Sequence, residues 1–124
     1  MGEIKRLIQS FGHAIDGIVF TVKTQRNMQI HVGAASLAIL AGWLLRIPWS
    51  DVLLVFFSIF FVFVLEMINT AIEATVDLVT TDYHPLAKIA KDVAAGAVLL
   101  GAVFSLIVGG YVYIPQMYTL IRHL

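Results

Sequence analysis

The stretch Val52-Leu53-Leu54-Val55-Phe56-Phe57-Ser58-Ile59-Phe60-Phe61-Val62-Phe63-Val64-Leu65-Glu66-Met67-Ile68-Asn69-Thr70-Ala71-Ile72-Glu73-Ala74-Thr75-Val76-Asp77 changes character at Glu66. Its first fourteen residues carry no charge. Its second half places two Glu, one Asp and one Asn at the end of that run. A carboxylate near hydrocarbon is expensive, so several together imply a purpose. At 100° per residue, Glu66, Asn69, Glu73 and Asp77 fall at roughly 0°, −60°, −20° and 20° around a helix. Thr70 and Thr80 join them. The result is one narrow polar stripe, which cannot face lipid and must face a cavity, a metal or another subunit.

Composition supports a membrane setting. Of the 124 residues, 60% are hydrophobic and 13% charged, against about 45–50% and 25% in soluble domains. Mean hydropathy is +0.91. The length suits one domain, 1–124. Formal net charge is zero, so nothing points to nucleic acid. The absence of cysteine excludes disulfides and thiolate chemistry. The polar, amphipathic segment Met1 to Asp16 has no apolar core of signal-peptide type, so no cleavage is expected.

Three apolar segments stand out: about Ile30–Leu45, Val52–Leu65 with its polar-faced continuation to Val79, and Val93–Ile114, stopping at Pro115. Each suffices to cross about 30 Å of hydrocarbon. Backbone inside a bilayer must satisfy itself, so these are helices. The spacing predicts spans over about 28–46, 51–80 and 86–114. Upstream, Ile4, Leu7, Ile8, Phe11, Ile15, Ile18 and Val22 recur at helical spacing. This predicts an amphipathic surface helix over about 3–25. The fold class expected is all-α integral membrane: three transmembrane helices plus that surface helix. Lys5, Arg6, Lys23, Arg26, Lys88 and Lys91 lie on one side of the spans, and only Arg46 and Arg122 on the other. The asymmetry places the N-terminus and the loop at Asp82 in the cytoplasm and the C-terminus outside. Trp43, Trp49, Tyr111, Tyr113 and Tyr118 read as an aromatic belt at the outer ends. In the third span the sets Ala97/Gly101/Ser105/Gly109 and Ala94/Val98/Ala102 repeat every four residues, which permits close helix approach. Three helices enclose a polar stripe poorly, so a homo-oligomer is expected.

A hairpin through Asp82-Tyr83-His84-Pro85 brings Lys91 and Asp92 toward Glu73 and Asp77. Acids plus a lysine at a membrane surface suit Mg²⁺ and phosphate: the ion takes carboxylate oxygen and the ammonium meets phosphate as a point charge. The plainer alternative is that these acids pair with Lys88 and Lys91 as structural glue. Glu66 lies deepest and is placed to act as general base for a lipid hydroxyl. Asn69 can orient it, or simply bond another helix. His31, early in the first span, reads as a lipid-site group or as a cross-helix pair. No GxxxxGK[ST] phosphate loop exists.

These motifs are long and specific. Glu66-x-x-Asn69-x-Ala71-Ile72-Glu73-x-x-Val76-Asp77, followed by Tyr83-His84-Pro85-Leu86-Ala87-Lys88-x-Ala90-Lys91-Asp92-x-Ala94-Ala95-Gly96, resembles the prokaryotic diacylglycerol kinase family, and most closely its undecaprenol kinase branch. Ala14-x-x-Gly17 and Arg26-Asn27-Met28-x-Ile30-His31 extend the resemblance over nearly the whole chain. The resemblance implies a homotrimer of three-span subunits, with active sites at subunit interfaces in the cell membrane. It implies transfer of the ATP γ-phosphate, with Mg²⁺, to the hydroxyl of a lipid alcohol: undecaprenol first, diacylglycerol second. Carried over by position, Glu66 is the catalytic base and Asn69 the polar group beside it. Glu73 is a ligand of the nucleotide-associated metal, and Asp77 a supporting acid. Lys91 and Asp92 contact nucleotide, Asp82, Tyr83 and His84 form the loop near it, and Arg6 and His13 reach ATP from the N-terminal helix. Gln25 stands where the family usually has a metal-binding Glu, so one charge of that site is missing. A proton-coupled transporter built on Glu66 is the rival reading, and leaves Lys91-Asp92 unexplained. A structural assembly subunit is the other.

Overall fold

Hydrocarbon offers a peptide group no partner, so each apolar run closes its own hydrogen-bond ladder. The computed structural model describes residues 1–124. Four helices account for nearly all of them: α1 (Gly2–Thr24), α2 (Arg26–Leu45), α3 (Trp49–Val79) and α4 (Pro85–Arg122). There is no strand. Helices α2, α3 and α4 are each long and apolar enough to cross a membrane. The chain is all-α with three such helices and an amphipathic one before them.

The connections explain where the helices stop. Gln25 alone separates α1 from α2, with extended backbone at φ −102° and ψ 114°. The Gln29 side chain donates back to the carbonyls of Val22 and Lys23 at 3.1 and 3.2 Å, which satisfies two of the free acceptors at the end of α1. Arg46 ends α2 in the left-handed region, φ 54°, and Ile47 N–H returns to the Gly42 carbonyl, a closing bond of the Schellman kind. At the other hairpin, Thr80 is extended. His84 caps α4: its Nδ1 accepts from Leu86 N–H at 3.1 Å, with Pro85 in the first turn.

Helices α3 and α4 form the principal pair. Val55, Val108 and Val112 make its core. Phe104 meets Phe57 and Phe61 edge-on, at centroid distances of 6.1 and 5.7 Å. Ser105 donates to the Ser58 carbonyl at 3.3 Å. Helix α2 leans on this pair through Met28, Ala35 and Gly42, a seven-residue recurrence that keeps one seam inward. Helix α1 is exposed from Gly2 through Phe20.

Two sequence expectations are corrected. The third long helix does not stop at Pro115, because α4 runs on to Arg122 with Pro115 inside it. Proline removes one N–H and so one rung, while the ladder on either side persists. Thr119 Oγ1 also donates to the Pro115 carbonyl at 2.9 Å. Tyr113 is not part of an exposed belt. It turns inward and donates to the Ala38 carbonyl of α2 at 2.5 Å. Trp43, Trp49, Tyr111 and Tyr118 are exposed as expected.

Candidate active site

Helix α3 has 31 residues, about 46 Å at 1.5 Å per residue, whereas the hydrocarbon layer is about 30 Å thick. Counted from Trp49, that thickness is used up near Asn69, and the last turns of the helix exceed it. The polar stripe straddles that point. Against the chain's own helices, Glu66, Asn69 and Thr70 are buried, Glu73 is half-buried and Asp77 is exposed.

Glu66, Asn69 and Glu73 line one pocket of about 290 Å³, with Asn27 and His31 of α2 opposite and Ala95, Val98 and Ala102 of α4 as its apolar wall. Glu66 is 1% exposed. His31 Nε2 stands 3.8 Å from Glu66 Oε2. Thr70 donates its hydroxyl to the Glu66 backbone carbonyl at 2.9 Å. Asn69 Nδ2 donates to Glu73 Oε1 at 3.4 Å. Glu66 Oε2 and Asn69 Oδ1 are sealed from solvent and have no hydrogen-bond partner. A buried polar atom left unpaired costs about 1–3 kcal/mol, which argues for atoms held ready for a ligand.

The remaining expected residues lie outside this pocket. Lys91 Nζ bonds Asp77 Oδ1 at 2.6 Å, joining α4 to the end of α3. Asp92 does not turn toward Glu73; it pairs with Lys88 one turn earlier on its own helix. Both pairs are exposed, and such pairs contribute about 0–1 kcal/mol, so phosphate oxygens can compete for either lysine. Asp82 and Tyr83 are exposed in the loop. His84 has its Nδ1 committed to the helix cap, which leaves Nε2 outward. Gln25 sits at the α1–α2 elbow, where its amide donates to the Thr24 hydroxyl at 3.2 Å. Arg6 and His13 lie on exposed α1, and neither side chain is paired. The pocket adds Asn27, which the sequence does not single out, and takes in His31, for which the sequence allows two roles. Their signal in the sequence is two polar side chains four apart at the start of an apolar span, on one helix face.

Within one chain no three histidine or acidic side chains converge to hold a metal ion. Mg²⁺ ordinarily takes one or two carboxylates and fills its shell with phosphate and water. A half-buried Glu73, steadied by Asn69, fits that modest demand.

Comparison with known proteins gives the family of the chain. The model of the family described as prokaryotic diacylglycerol kinase matches residues 12–113. The chain belongs to that family. An undecaprenol kinase from Bacillus subtilis is 45% identical over 115 residues, covering 93% of this chain and 94% of its own. A diacylglycerol kinase from Synechocystis is 44% identical over 115 residues, covering 92% of this chain and 66% of its own. The diacylglycerol kinase of Escherichia coli K12 is 31% identical over 103 residues, covering 82% and 84%. This member of the prokaryotic diacylglycerol kinase family is therefore a membrane lipid kinase that uses ATP as phosphoryl donor. The transporter and assembly readings fall away.

Proposed function

We propose that the chain phosphorylates a polyprenol, undecaprenol in preference to diacylglycerol, with Glu66 as general base. The observation that carries this reading is the sealed, unpartnered Glu66 carboxylate oxygen beside Asn69 and Glu73. The similarity to the undecaprenol kinase, over nearly the whole of both chains, favours that substrate. A second space supports a lipid acceptor: an apolar cleft of about 510 Å³ between α2, α3 and α4, which shares His31 and Ala102 with the polar pocket. A tail in the cleft would deliver its hydroxyl to Glu66.

In this reading Glu66 takes the hydroxyl proton. The alcohol oxygen bonds to the γ-phosphorus as the bond from that phosphorus to the ADP oxygen breaks. Little covalent chemistry is asked of the protein, so positioning and electrostatics carry the rate. Asn69 holds Glu73 and lines the path to Glu66. Glu73, with the neutral Gln25 as a second oxygen donor, would hold Mg²⁺, which when bound offsets phosphate charge. Lys91 would leave Asp77 for phosphate, and Asp77 supports it from α3. Asp92, Asp82, Tyr83, His84, Arg6 and His13 complete the nucleotide side. The unit is a homotrimer, with the N-terminus and active site cytoplasmic in the cell membrane, consistent with the lysine and arginine asymmetry.

The test is purified protein in lipid with labelled ATP, Mg²⁺ and either undecaprenol or diacylglycerol. Labelled undecaprenyl phosphate is expected to dominate. Glu66→Gln should lose at least about 100-fold in turnover yet assemble as the parent does. Absence of label in undecaprenol overturns the substrate assignment. An active Glu66→Gln overturns the base.

A further inference from the structure

His31 stands where the polar pocket and the apolar cleft meet. Only His31 and Ala102 line both, and alanine has no polar side chain. His31 is half-buried on the second turn of α2. Its Nε2 faces Glu66 Oε2 at 3.8 Å across the α2–α3 seam. That oxygen has no hydrogen-bond partner.

None of the neighbouring donors pairs with this oxygen. Asn69 gives its amide to Glu73 and lies within reach of the Glu66 carboxyl as well, the Thr70 hydroxyl goes to the Glu66 main chain, and Lys91 is bonded to Asp77. His31 Nε2 stands opposite that unpaired oxygen, whatever Asn69 does at the rest of the carboxyl. A glutamate's terminal torsion is broad and roughly two-fold, so an unheld carboxylate presents either oxygen equally well. A donor fixed on one oxygen leaves the other for the reacting proton. Bases in enzyme sites are commonly steadied by such a third group. The present distance exceeds a hydrogen bond by about 1 Å, and contacts of this kind tighten when substrate fills the site.

We infer that His31 is a positioning residue for phosphoryl transfer: its ring N–H holds Glu66 Oε2, so that the carboxylate's other oxygen meets the hydroxyl of a lipid alcohol whose tail lies in the adjoining cleft. This rests on Glu66 being the base. His31 does not itself exchange a proton with substrate. Its effect is therefore on turnover and not on nucleotide binding.

Four variants reconstituted with undecaprenol, ATP and Mg²⁺ test it: His31→Leu, His31→Gln, His31→Asn and Glu66→Gln. His31→Leu is expected to lose on the order of 10- to 100-fold in kcat, the range set by misplacing a reacting group, with KM for ATP unchanged. His31→Gln carries an N–H at similar reach and should recover most of that loss. His31→Asn is too short and should resemble the leucine variant. If the leucine variant fails to assemble, the contrast between glutamine and asparagine gives the same reading. Equal kcat for those two, or a parent-like kcat for His31→Leu, overturns the inference while an inactive Glu66→Gln leaves the base in place. An active Glu66→Gln overturns both.

Discussion

Gly101 has a hydrogen where a methyl group would stand 2.6 Å from Leu65 Cδ1, on the turn that leads into Glu66. Alanine there can be met by rotation of the leucine tip, but a longer side chain cannot. Gly101→Leu is expected to destabilise the protein by on the order of 1–3 kcal/mol, the usual cost of overpacking, and to lower turnover as Leu65 shifts. Thermal unfolding in detergent and a kinase assay check the two effects. Gln25 poses a question of charge. Its amide is occupied by Thr24, and it does not line the pocket of Glu73. Gln25→Glu should tighten the apparent affinity for Mg²⁺ or ATP several-fold if the assembled site places this residue at the metal. Unchanged affinity across a Mg²⁺ titration removes it from the ligand set. The stripe of Glu66, Asn69 and Glu73 was legible because helical angles alone bring those side chains onto one face. The distance from His31 to Glu66 was not. It depends on how α2 seats against α3, which Met28, Ala35 and Gly42 decide by packing.

At the scale of elements, the helices were legible from apolar runs and the charges that interrupt them, and the failure at Pro115 is instructive. Proline was read as a stop because its ring and missing N–H oppose a continuing helix. Yet the apolar pattern resumes at Met117, Tyr118, Leu120 and Ile121, and α4 carries through to Arg122. The local penalty is real and should be visible. Pro115→Ala restores an N–H that can reach the Tyr111 carbonyl, so the end of α4 should gain up to about 3 kcal/mol. Slower amide exchange over residues 115–122, with turnover unaltered, is the expected result. Faster exchange would mean that proline's fixed φ contributes more there than the missing rung removes. The opposite end of α4 shows one residue serving two expectations. His84 was read only as a loop residue near nucleotide, whereas its Nδ1 caps the helix. A histidine cap lies outside the Ser, Thr, Asp and Asn set by which such ends are recognised.

For the whole molecule, one chain buries only 15 of its 124 residues, and α1 projects with Ile4, Leu7, Ile8, Phe11 and Ile15 exposed. Lipid can cover an apolar face, but the residues assigned to ATP need a path to the pocket. None of Arg6, His13 and Gln25 lines the pocket of Glu66 in their own chain. No sequence pattern within a chain states which subunit would complete a site, so the proposed assembly is not legible beyond the resemblance. If α1 of one subunit closes the site of its neighbour, function must be divisible between chains. One chain would lack residues 2–20 but keep Glu66. The other would carry Glu66→Gln with α1 intact. Each alone should be inactive. Co-assembled, they should regain activity at those interfaces where an intact Glu66 meets an intact α1 from the next subunit. In the proposed homotrimer a closed ring would supply such pairings in only some of the interfaces, so recovery should be partial and should rise with the degree of mixing. Mixing after separate assembly should recover none, because chains then cannot exchange. A co-assembled preparation that stays inactive, while pull-down shows both chains together, would place α1 over its own subunit's site instead.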